Sequence, residues 1–255
     1  MNRIDNAQRI AAKVAGVSGL LSVVIVVFGN YALLGPLVAP GEAAETARNF
    51  VAHPTQVRVA LSCFLAYGVS VVVLLAALYV ILRPVDRLPA LIGALFRFVF
   101  ALLWLHTTLN LLGALRLVGN MPYLQAFEAD RLQVLARLQI AASFDDYYVG
   151  LPFFALAATV YSFLWFKSSY IPRSLAAFGV IACAWCVICA LVFLIFPAFD
   201  KTVDAYWFDS PMAVFELLVS LWLLFKGLKA RDHSGADCVD DGSGTSLSLR
   251  LPVFL

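Results

Sequence analysis

Six long apolar stretches separated by short polar connections constrain this chain more than any motif within it. A backbone that crosses the hydrocarbon of a bilayer finds no water there. It must close its own N–H and C=O groups inside a helix or a closed barrel. A helix of about 20 apolar residues covers the ~30 Å core. Residues 14–37, 57–82, 90–117, 147–166, 175–196 and 211–225 form such stretches, the last being short and expected to run on through Lys226 and Gly227. The expected fold is therefore an all-α, polytopic transmembrane bundle of six spans over residues 1–230. The first stretch is too long for the apolar region of a cleavable signal and has no small-residue cleavage site after it.

Composition supports that class and excludes others. The chain is 62% hydrophobic and only 13% charged, whereas soluble domains carry about a quarter charged residues. A net charge of +2, with basic residues at span ends rather than in a patch, gives no reason to expect a nucleic-acid partner. Membrane lipids are the expected surroundings, and a small-molecule ligand between the helices is a further candidate partner. Placing the N-terminus inside puts twelve of the 18 Lys and Arg residues on the inner side, among them Arg3, Arg9, Lys13, Arg83, Arg87, Lys167, Arg173, Lys226 and Lys229. The outer side then holds Arg48, Arg58, Arg116, Arg131, Arg137 and Lys201 with most of the acids. Because cytoplasmic loops collect Lys and Arg, both termini are expected in the cytoplasm of a cell inner-membrane protein.

Between the spans, residues 39–56 and 118–144 each hold a segment that fits a short amphipathic helix. The clearer one is 124–140, with Leu124, Phe127, Leu132, Leu135 and Leu138 at roughly helical spacing, and it is expected to lie on the membrane surface. Residues 231–255 are small, polar and acidic and are expected to be a disordered tail. Residues 78–95 and 163–180 share one pattern of span end, basic residue, polar turn, proline and new span. A parallel repeat would produce it.

The run Leu78-Tyr79-Val80-Ile81-Leu82-Arg83-Pro84-Val85-Asp86-Arg87, followed by Ala94-Leu95-Phe96-Arg97, resembles a widespread bacterial membrane family, domain-of-unknown-function family 4386. Ser169-Tyr170-Ile171-Pro172-Arg173-Ser174-Leu175 with Gly179 is similar to it as well, and so are Pro211, Glu216, Trp222, Lys226 and Gly227 near the end. The resemblance spans roughly residues 11–229 and rests on the order and spacing of these motifs. It implies six helices and membrane residence, with no activity to carry over. Members of the family often hold a histidine in the fourth span. This chain has none there after Tyr148, so no role resting on that histidine transfers.

An ionisable group in hydrocarbon is costly and needs a partner. Arg97 lies about ten residues, or ~15 Å, into the third span. Glu216 enters the sixth span from the other side to a similar depth. The two read either as a charged pair lining a cavity or as a structural pair that fixes helix packing. His106 and Asn110 form a second cluster. At 100° per residue His106 faces away from Arg97, while Asn110 at i+4 shares its face. A lone histidine in a span reads as a packing residue or as a ligand for a metal, haem or a proton.

Other features have local explanations. Ser143-x-x-Asp146 reads as a capping box that opens the fourth span, with Asp145 beside it. Asp209-Ser210-Pro211 reads as a cap with proline at the first helical position. Cys183, Cys186 and Cys189 fall on one helix, too spread for a cluster, and read as small membrane residues. Tyr31, Trp104, Tyr123, Tyr147, Tyr148, Trp165, Tyr170, Tyr206 and Trp207 read as an interfacial belt. The sequence has no P-loop, G-x-S-x-G or H-E-x-x-H, and no cofactor or metal is expected.

Three functions fit these residues. One is binding or translocation of a small or lipidic molecule between the helices. Another is an accessory or structural subunit. The third is a membrane-embedded enzyme at the outer leaflet that would use His106 and Glu216, with Asp146 as a further candidate, brought together at one point.

Overall fold

The computed structural model describes residues 4–39, 42–119, 122–124, 126–196 and 206–229. All regular elements among them are helical. Helix α1 (Asn6–Val27) continues through a π-helical stretch, Phe28–Leu34, and a 3-10 turn, Gly35–Leu37. Then come α2 (Ala43–Ala52), α3 (Pro54–Leu82), α4 (Arg87–Val118), α5 (Ala129–Ser168), α6 (Arg173–Ile195) and α7 (Tyr206–Phe225). Residues 230–255, and with them the expected tail, lie outside the described residues.

The long helices close into a ring. Helix α1 packs on α3, α3 on α4, α4 on α5, α5 on α6, α6 on α7, and α7 returns to α1. Small residues permit the closest approaches, as helices in lipid require when no hydrophobic effect drives them together. At the closure, a Cβ on Gly16 would lie 2.8 Å from the backbone nitrogen of Leu224 and 2.9 Å from the carbonyl oxygen of Ser220. Only glycine lets α1 and α7 meet there.

The outside of the ring is apolar. Val24, Leu109 and Ile181 are 64%, 64% and 71% exposed, and such residues recur on the outer faces of the long helices. In water an apolar surface on this scale would be an interaction or aggregation site. Against acyl chains it is the ordinary outer surface of a membrane protein. Five segments, Asn6–Leu37, Pro54–Leu82, Arg87–Val118, Asp130–Ser168 and Arg173–Ile195, are long and apolar enough to cross a bilayer. Helix α7, the sixth member of the ring, is shorter and is not among these five.

Polar bonds tie one end of the ring together. An Asp5–Gln8 capping box starts α1, and the Gln8 amide then donates to the Ile81 carbonyl at 3.1 Å and the Tyr170 hydroxyl at 3.4 Å. The Lys229 N–H donates to the Tyr170 carbonyl at 2.9 Å. Lys167 bonds Asp86 at 3.0 Å, joining the α5–α6 turn to the α3–α4 turn. The first and last parts of the described chain therefore share one end of the ring. We call it the basic end, for Arg9, Lys13, Arg83, Arg87, Arg173 and Lys226 nearby.

Several expectations change. The segment 124–140 is not a separate surface helix. From Ala129 it forms the first turns of α5, a 40-residue helix that continues into the fourth span. Between Ile140 and Tyr147 the chain offers only alanines, a serine, a phenylalanine and two aspartates, none of which must break a helix. At 1.5 Å per residue α5 is about 60 Å long, twice the hydrocarbon thickness. Its first turns pack on α2, which itself fulfils the expectation of a helix within 39–56. Asp145 and Asp146 therefore sit mid-helix and cap nothing.

Pro211 likewise lies inside α7, which begins five residues earlier at Tyr206, so Asp209-Ser210 is not its cap. The same helix stops at Phe225 instead of extending through Gly227. Gly227 adopts φ +68° and its N–H donates to the Trp222 carbonyl at 3.1 Å, the left-handed stop that glycine permits. The aromatic belt holds only in part. Tyr31 is 56% exposed, but Trp104, Trp165 and Tyr170 are buried in the core. The side chains of Tyr123, Tyr206 and Trp207 lie outside the described residues. Cys183, Cys186 and Cys189 are buried free thiols on α6.

Candidate functional site: a buried ion pair between two cavities

Arg97 on α4 and Glu216 on α7 meet across the interior of the ring, although their helices are not neighbours in it. The guanidinium forks onto the carboxylate. Nη1 donates to Oε1 at 2.5 Å and Nη2 to Oε2 at 3.1 Å. Arg97 is 2% exposed and Glu216 21%. Arginine suits this place because its planar fork matches two carboxylate oxygens while its face stacks on an aromatic ring. Its Cζ lies 4.0 Å from the centroid of Phe154 on α5. Among the described residues, Arg97 Nε is buried without a partner, as is the hydroxyl of Tyr161.

Two cavities meet at this pair. One, of about 40 Å³, lies toward the basic end and is lined by both Arg97 and Glu216 with Tyr161, Trp165, Ser220 and Leu223. A single water needs roughly 10–15 Å³ on this measure, so two or three fit. The unpaired Arg97 Nε and the Tyr161 hydroxyl supply polar partners for them. The other, of about 220 Å³, lies toward the opposite end. Its lining includes Tyr67, Phe100, Trp104, Tyr147, Asp209 and Glu216. Glu216 belongs to both walls, whereas Arg97 faces only the smaller cavity.

His106 and Asn110 are placed elsewhere, at the α4–α5 contact. The Asp146 carboxylate receives a bond from His106 Nδ1 at 2.9 Å and from Asn110 Nδ2 at 2.8 Å. A carboxylate only accepts, so His106 carries a proton on Nδ1. Asn110 Nδ2 stands 3.3 Å from that same nitrogen, a contact between two donors and not a second bond. His106 is 58% exposed, and its Nε2 is the nitrogen left over. At nineteen residues past Arg87 it lies about 29 Å along α4, toward the end of the ring opposite the basic one.

The expected set thus divides in two. Arg97 and Glu216 come together, and His106 and Asn110 share a face and a partner. His106 is held by Asp146 and Glu216 by Arg97, so the two share no partner. The sequence joins Asp146 to His106 only in the enzyme reading, and gives no site role to Trp104, Tyr161 or the Tyr147 hydroxyl, which donates to Asp209 at 2.7 Å. The signal for Asp146 was available: a carboxylate at the outer edge of the span that neighbours His106. Among the described residues no group of His, Cys, Asp and Glu could hold a metal ion.

A ring of long helices, apolar outside and with one charged pair inside, is an all-α, multi-pass membrane protein. Within that class the chain belongs to DUF4386, a domain-of-unknown-function family whose model matches residues 14–227. No curated protein and no solved structure matches it.

Proposed function

We propose that this is an inner-membrane protein of six passes, both termini cytoplasmic, that binds or translocates a small or lipidic molecule between its helices. Glu216 carries the reading, because it lines the cavities on both sides of its bond to Arg97. A packing residue needs no cavity on either side. A gate between two chambers needs both. In this reading the pair separates the larger, outward chamber from the smaller, cytoplasmic one, and weakening it connects them. The basic end faces the cytoplasm by the positive-inside rule.

One observation favours the accessory-subunit reading instead. The forked pair, stacked on Phe154, is satisfied well enough to serve as a fixed tie between α4 and α7. Cysteine accessibility separates the two. In a cysteine-free background, Ala213→Cys lines the outward cavity and Ser220→Cys the inner one. In intact cells an impermeant thiol reagent should label Ala213→Cys and leave Ser220→Cys unreacted until Glu216→Gln is added. Labelling of Ser220→Cys that is indifferent to Glu216→Gln, or no labelling of Ala213→Cys, would favour the fixed tie.

A further inference from the structure

The outward cavity has a chemistry more specific than its size. Tyr67, Phe100, Trp104, Tyr147 and Phe154 form one aromatic cluster in its wall. Ring centroids lie 4.8 Å apart for Tyr67–Trp104, 4.6 Å for Phe100–Phe154 and 6.5 Å for Trp104–Tyr147. The ionisable acids in the wall are Glu216 and Asp209, and among the described residues that line it there is no Lys, Arg or His. Aromatic faces carry negative potential and attract cations, more strongly where water is excluded. Arg97 already uses this cluster from behind, with its guanidinium over Phe154. Trp104 adds a second requirement. It is 6% exposed, and among the described residues its buried indole N–H meets no acceptor. An ammonium group cannot accept, so a water held beside it in the cavity would satisfy that N–H.

Resting on the small-molecule reading above, we propose that the outward cavity binds an organic cation: an ammonium group with an apolar body. The cation sits against the Tyr67, Phe100 and Trp104 rings and approaches Glu216 from the side opposite Arg97. It then competes with the guanidinium for the carboxylate. That competition gives the pair a reason to open when ligand arrives and to close behind it. An anionic ligand would meet the Asp209 carboxylate and the outer side of the paired Glu216, with no Lys, Arg or His among the described lining residues.

Three probes of nearly one shape test this on the unmodified, full-length protein in detergent. They are benzyltrimethylammonium, its neutral carbon counterpart neopentylbenzene, and benzenesulfonate. Calorimetric titration and ligand-dependent thermal shift give the affinities. Saturable binding of benzyltrimethylammonium, about tenfold or more tighter than either of the others, is expected from the strength of a desolvated cation–π contact. Tyr67→Leu should weaken the cation by about fivefold or more while leaving the neutral probe unchanged, which also controls for folding. Equal affinity for cation and neutral probe overturns the cationic class and leaves the small-molecule reading standing. Tighter binding of the sulfonate does the same and reverses the charge. Failure of all three to bind at millimolar concentration overturns both readings.

Discussion

Arg97 and Asp146 teach opposite lessons at the scale of single residues. A guanidinium in an apolar run is visible from sequence because nothing local can satisfy it, and lipid offers no partner. Its need for a carboxylate at similar depth leads directly to Glu216. Asp146 has a local alternative: Ser143-x-x-Asp146 has the spacing of a capping box, and that pattern conceals the bond to His106. Which reading is correct depends on whether a helix begins there, a fact that one sequence does not contain. The two roles differ measurably. Because His106 is exposed, its bond to Asp146 is worth about 1 kcal/mol or less. A thermal-stability cycle over His106→Ala and Asp146→Ala should show non-additive losses of that order. If Asp146 acted only on the backbone, the two losses would add.

At the scale of elements, the apolar periodicity marked the long helices to within a few residues for α3, α4 and α6. It failed where two helical patterns abut. The amphipathic segment 124–140 and the apolar run after Tyr147 have different exteriors, one facing water and the other lipid. They nevertheless share one backbone, since nothing between them interrupts the hydrogen-bond ladder. The beginning of α7 differs from its sequence pattern for a related reason. Proline at 211 looked like a first-turn residue, yet Tyr206–Ser210 already coil ahead of it. A proline placed in the middle of α5 tests the continuity. Ala142→Pro removes a backbone donor and clashes with the preceding turn, costing about 3 kcal/mol or more in a continuous helix. A large fall in melting temperature in detergent is expected. A change within error would show that a turn separates the two segments.

For the whole molecule, two facts combine. The first and last described residues gather at one end of the ring, and that end carries most of the described lysines and arginines. An even number of crossings with the basic end in the cytoplasm satisfies both. In a cysteine-free background, Glu45→Cys and Asp130→Cys should react with an impermeant thiol reagent in intact cells, while Arg83→Cys should not. Protection of the first two with labelling of the third would invert the orientation. The sequence marked the ring's members and their charge bias. It led to the pairing of Arg97 with Glu216, but not to the fork of two bonds, nor to its place between two cavities joining helices that are not neighbours in the ring. That depends on how the helices are arranged in space, and apolar periodicity carries no record of it.

The central claim is that Arg97 and Glu216 act as one unit across the ring, and a double-mutant cycle on unfolding in detergent tests it most directly. Removing one partner leaves a buried charge alone, so Arg97→Ala and Glu216→Ala should each cost about 3 kcal/mol or more. The double variant, with no lone charge, should recover a substantial part of that loss. Losses that simply add would mean that the two charges do not interact, and the account of a paired junction between the cavities would be wrong.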